Sequence, residues 1–139
     1  MTTVVDANVF AALWDADEAL NTAAKTALDS ASSRGRLMAP GPVFAELLAF
    51  PKRDEAFLDA FFRDTGILVV WDLPETVWRS AGKAFGRYAA VRKRGGPGPR
   101  RILADFLIGA YAEHSGSALL TLDRGVYRSA FPSLTIVVL

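Results

Sequence analysis

The chain has 139 residues, 51% of them apolar and 22% charged, and a formal net charge of +1. That size and balance fit one folded domain over residues 1–139 with a real core. The lack of cysteine excludes a disulfide framework and a zinc–thiolate site, and the single histidine, His114, excludes a histidine-rich metal cluster.

No apolar run approaches the ~18 residues of a membrane span. The opening Met1-Thr2-Thr3-Val4-Val5-Asp6 lacks the basic n-region of a signal peptide. The expectation is a cytoplasmic protein without a membrane partner.

In chain order, Thr2 to Val5 is a short β-branched run that ends at Asp6-Ala7-Asn8. Continuous apolarity predicts a strand buried on both faces, in the middle of a sheet. Val9 to Trp14 suits a helix, and Asn21 to Ser33 a second, Ala-rich one with Gly35 beyond its end. Arg36 to Ala39 is a strand candidate. Pro40-Gly41-Pro42 then opens a helix, Val43 to Phe50, that stops at Pro51 and carries Glu46 in an otherwise apolar run.

Arg53 to Thr65 has helical spacing, with Phe57, Leu58, Phe61 and Phe62 on one face. Ile67 to Trp71 reads as a buried strand, and a cap-like Asp72 as the opening of the next helix. That helix carries Val77, Trp78, Ala81, Phe85 and Tyr88, then runs out into Arg92 to Arg101, whose glycines and prolines cannot stay helical. Ile102 to His114 is a helix with Asp105 in its first turn, and Ala118 to Leu122 a strand that stops at Asp123-Arg124-Gly125. A short helix, Val126 to Ala130, and a strand, Leu134 to Val138, finish the chain. This alternation predicts a three-layer α/β/α sandwich around a central, mostly parallel sheet. The aromatic set Trp14, Phe44, Phe57, Phe61, Phe62, Trp71, Trp78 and Phe85 is expected mostly in the core, with some of it free for a dimer or partner surface.

Most acids sit on polar faces or at helix starts; four do not. Asp6 and Asp123 follow apolar strands, where the crossover loops of parallel sheets build sites. Glu46 lies inside an apolar segment, and Asp105 opens an apolar helix after a basic loop. Taken singly, Asp6 or Asp105 could cap a helix, Asp123 could start an Asx turn, and Glu46 could face water. Taken together they could meet in one crevice. There each pair at ~4 Å would repel by about 4 kcal/mol at an effective dielectric of ~20. A divalent cation relieves that repulsion, and all-oxygen ligands point to Mg²⁺ or Mn²⁺. Such acid clusters hydrolyse phosphodiesters. Asn8 and Thr121 could orient a carboxylate or a water.

Val4 to Phe10, Glu46, Ala104-Asp105-Phe106-Leu107-Ile108 and Leu120-Thr121-Leu122-Asp123-Arg124-Gly125 together resemble a PIN-domain nuclease. More narrowly, the chain resembles the VapC-type toxins of type II toxin–antitoxin modules. The resemblance implies a Mg²⁺- or Mn²⁺-dependent endoribonuclease, usually a homodimer, inhibited by a small cognate antitoxin. It puts the acids at Asp6, Glu46, Asp105 and Asp123, with Asn8 and Thr121 in support and a basic position at Arg124. From Thr76 to Ala104 the chain has no acid, and Arg92, Lys93, Arg94, Arg100 and Arg101 fall in or beside the Gly/Pro loop. These bases, with Arg124, are expected to meet RNA phosphate.

Other readings compete. A haloacid-dehalogenase phosphatase wants an acid two residues after the first, where Asn8 stands, and a phospho-acceptor receiver wants a late lysine, whereas none follows Lys93. A housekeeping RNA-processing PIN nuclease, or a non-catalytic RNA-binding PIN module, fits the same motifs.

Overall fold

The computed structural model describes residues 1–93, 95 and 102–139. Its strands are β1 (Thr3–Val5), β2 (Leu37–Pro40), β3 (Leu68–Val70), β4 (Ala118–Thr121) and β5 (Ile136–Val138), all paired in parallel in the order β3-β2-β1-β4-β5. The helices are α1 (Ala7–Leu13), α2 (Glu18–Arg34), α3 (Gly41–Leu47), α4 (Glu55–Thr65), α5 (Glu75–Lys93), α6 (Leu103–His114) and α7 (Arg124–Ala130). Parallel neighbours need crossovers, and the helices that make them cover the sheet as an α/β/α sandwich.

β1 is the middle strand, as its apolar run requires: Thr3, Val4 and Val5 are all buried. The chain winds outward from β1 through β2 to β3, then returns to β1's other side for β4 and β5. The strand order therefore reverses beside β1, and in open parallel sheets the crevice outside the strand ends at such a reversal is where ligands bind. Register aligns Val5 with Leu120, so Asp6 and Thr121 leave the sheet side by side.

One continuous core joins β1, β2 and β4 to the inner faces of the helices. On one side Phe10 of α1 meets Phe61 and Phe62 of α4 edge-on, at 5.7 and 5.5 Å between centroids, a favoured aromatic geometry. On another, α6 packs against both α5 and α7, while α3 touches α1 and α6. α3 is thus a short bridge at the sheet's carboxyl edge, and it carries Glu46.

Several boundaries depart from the sequence expectation. Ile67 to Trp71 is not a buried strand: β3 is an edge, with Leu68 45% and Trp71 65% exposed. Trp78 is 52% exposed, its indole N–H donating to the Leu73 carbonyl at 3.2 Å, so neither tryptophan belongs to the core. α3 ends at Leu47, leaving Phe50 exposed. α5 begins at Glu75, after Pro74, and the exposed Asp72 precedes it. His114 closes α6, where the helix dipole favours it.

Candidate active site

Asp6 stands at the α1 N-cap but makes no side-chain cap bond there. Instead it is 4% exposed, and its Oδ2 collects three donors, two of them from distant sequence. The Tyr127 hydroxyl donates at 2.8 Å, the Thr121 hydroxyl at 2.9 Å and the Asn8 amide at 3.3 Å. Burial nevertheless raises the Asp6 pKa above its ordinary value, and Asp105 adds to the rise; the Tyr127 and Thr121 bonds oppose it without cancelling it. An acid so placed costs least when protonated or facing a cation.

Asn8 and Thr121 are both at the site. Asn8 donates to Thr121 at 3.3 Å and accepts from the Leu122 backbone N–H at 3.1 Å, so it ties the start of α1 to the end of β4. Thr121 is fully buried and its oxygen also accepts from the Asp123 backbone N–H at 3.0 Å.

Glu46 is half-buried on α3. Burial, then the charges of Asp6 and Asp105, lift its pKa from 4.5 to about 7. Its Oε1 is buried and has no hydrogen-bond partner. Buried polar atoms are nearly always paired, so an orphaned carboxylate oxygen marks a place for a ligand, a water or a cation. Asp105, half-buried in the first turn of α6, accepts from the Ile102 backbone N–H at 3.4 Å. It therefore serves its helix end while its charge reaches Asp6 and Glu46.

Asp123 is placed differently. It is the N-cap of α7, its Oδ1 accepting from the Gly125 backbone N–H at 3.1 Å, as an Asx turn would have it. The charges of Asp6 and Asp105 act on Glu46 and that of Asp105 on Asp6, while Asp123, half-buried like Glu46 and Asp105, serves its own helix end. Among the described residues no three acids or histidines stand in an arrangement that could hold a metal ion. The fit to a divalent cation is one of chemistry: hard oxygen donors, mutual repulsion and one orphaned oxygen, all at the reversal of the sheet.

Of the expected RNA-facing bases, Arg92 and Lys93 are exposed in the last turn of α5 and Arg124 is exposed at the start of α7. Arg94, Arg100 and Arg101 lie outside the described residues. Tyr127 was not expected at the site at all. It is 1% exposed and separated from Asp6 by 121 residues. The one clue in the sequence is generic: a buried tyrosine hydroxyl needs a partner.

An all-parallel sandwich with coupled carboxylates outside its central strand defines a class of acid-site α/β proteins. Residues 3–132 match the PIN domain family, and the chain belongs to it. In fold it is similar to a chain of VapBC2 from Rickettsia felis, solved bound to a DNA fragment from their promoter. That match has 16% identity and a TM-score of 0.68, covering 100% of this chain and 99% of that one. A chain of VapBC-1 from nontypeable Haemophilus influenzae matches at 20% identity and a TM-score of 0.67, covering 99% and 98%. A chain of VapBC-5 from Mycobacterium tuberculosis, a member of the VapBC family of toxin–antitoxin systems, matches at 17% identity and a TM-score of 0.52, covering 99% and 97%. No curated protein matches the sequence.

Proposed function

We propose that the protein is a Mg²⁺- or Mn²⁺-dependent endoribonuclease, the toxin of a type II toxin–antitoxin pair held inactive by a small cognate antitoxin. The observation that carries the reading is the coupling of Asp6, Glu46 and Asp105 at the sheet reversal, with Glu46 Oε1 buried and unpartnered. Membership of the PIN domain family and the likeness in fold to VapBC chains support it. No helix among the described residues is long and apolar enough to cross a membrane.

Asp6, Asp105 and Asp123 would hold the cation, directly or through water. When bound, the ion would supply positive charge to a phosphodiester oxygen and lower the pKa of a neighbouring water. The chain's own groups do the rest. Thr121, Asn8 and Tyr127 fix the Asp6 carboxylate before any ligand arrives. Glu46, its Oε1 buried and unpartnered, either completes the cation's shell or accepts the proton of the attacking water. Arg92, Lys93, Arg94, Arg100, Arg101 and Arg124 hold the RNA backbone, while the exposed Trp71 and Trp78 are available to a second copy in a homodimer.

The test is cleavage of total cellular RNA by purified, antitoxin-free protein with Mg²⁺ or Mn²⁺, then with chelator, beside Asp105→Asn purified identically. Discrete cuts that need both metal and Asp105 are expected. Cutting by the variant at the wild-type rate would overturn the site assignment.

A further inference from the structure

We infer that Tyr127 is a positioning residue for the metal site, acting through Asp6; this rests on the nuclease reading above and adds a residue to it. Asp6 has three donors on one oxygen, and they differ in what else they hold. Asn8 divides its amide between Asp6 and Thr121. The Thr121 hydroxyl, with one proton, faces both Asp6 at 2.9 Å and the Asp123 carbonyl at 3.4 Å. Among the described residues the Tyr127 hydroxyl alone has Asp6 as its only hydrogen-bond partner, at 2.8 Å, and from a ring that is 1% exposed.

That ring cannot easily leave. Its helix α7 is anchored at one end by the Asp123 cap and packs on α6, where the Tyr127 ring lies against Gly109. A phenol is also the right donor for the position. It gives one proton in one direction, and here that proton goes to Asp6 Oδ2. With Oδ2 engaged by donors, the carboxylate keeps a single rotational setting. Groups that orient a metal-binding carboxylate in this way typically change metal affinity 10–100-fold when removed.

The Asp123 segment also bears on the site through its neighbours. Thr121 and Tyr127 flank Asp123 in sequence, and both reach Asp6. The segment from β4 into α7 therefore grips the first acid from two sides.

The experiment is Tyr127→Phe, which removes one oxygen and keeps the ring. Mn²⁺ binding is measured by calorimetry on both proteins, with thermal unfolding in chelator as the second reading. The expected result is an affinity about 10-fold weaker with metal-free unfolding nearly unchanged, and RNA cleavage restored by raised Mn²⁺. Equal Mn²⁺ affinity in variant and wild type, or a loss of thermal stability with unchanged affinity, would overturn the inference and leave the nuclease reading standing. A wild type that binds no Mn²⁺ would overturn both. Should Tyr127→Phe not fold, 3-fluorotyrosine at position 127 of the full chain replaces it. Its fluorine resonance is expected to shift on Mn²⁺- or Mg²⁺-addition to wild-type sequence, and an unmoved resonance in metal-loaded protein would overturn the inference.

Discussion

At Glu46, burial and the charges of Asp6 and Asp105 lift the carboxyl from 4.5 to about 7. A carboxyl with a higher pKa in the folded chain binds its proton more tightly there than in the unfolded chain. Its stabilising contribution is complete below pH 4.5 and is gone above about 7. Asp6, also raised, acts in the same direction. The metal-free protein is thus expected to lose roughly 1–2 kcal/mol of stability through Glu46 across that window, after allowance for partial exposure. Glu46→Gln should flatten the loss, measured by urea unfolding in chelator at several pH values. Asp6→Asn tests the same repulsion from the other side: metal-free unfolding at an equal or higher temperature, with cleavage down by more than roughly 100-fold. A variant that unfolds earlier would mean that the three donors on Oδ2 outweigh the desolvation of the charge.

Among the elements, α6 and α5 make opposite demands on glycine. A Cβ at Gly109 would sit 2.5 Å from the Phe131 ring and 3.1 Å from the Tyr127 ring, and both rings are buried. Replacing a mid-helix glycine by alanine normally stabilises by about 1 kcal/mol. Overpacking of a rigid core costs about 1–3, so Gly109→Ala should be net destabilising and should loosen α7 from α6. Gly82 of α5 is exposed, with nothing within 4 Å of its Cβ position, so Gly82→Ala should stabilise by about 0.5–1 kcal/mol. Thermal unfolding of the pair checks both signs. The same elements show what the sequence could convey. Apolar periodicity located β1, β4 and α6 well, because each is buried and its pattern is set by burial. Ile67 to Trp71 has the same apolar look but lies at the sheet's edge, and edge position is a matter of topology, which no local pattern encodes. Asp6, Glu46 and Asp105 were legible because an acid amid apolar residues is conspicuous. Tyr127 was not, since tyrosine suits a core equally well and its partner is 121 residues away.

For the whole molecule, charge segregation leads to a prediction about RNA. Each phosphate contact made to a single strand adds about 0.7 to the slope of log affinity against log salt. Arg100→Ala with Arg101→Ala should therefore lower that slope by roughly 1.4 in filter binding to a metal-free, uncleaved RNA. An unchanged slope would remove the Arg92–Arg101 stretch from the RNA surface. The sheet reversal was only half visible beforehand: the strands and their parallel sense could be expected, but not that β4 would border β1. That pairing also sets an order of events during synthesis. β1 is made first and Asp6 with it, yet the neighbour on one side of β1 is β4, and two of the groups that hold Asp6 belong to residues 121 and 127. Until that late segment leaves the ribosome, the first strand has an open edge and the first acid lacks its setting. A chain interrupted before β4 therefore lacks two of the three groups that set Asp6 and keeps an open edge on its first strand, so the site assembles only after the segment from β4 into α7 has been made.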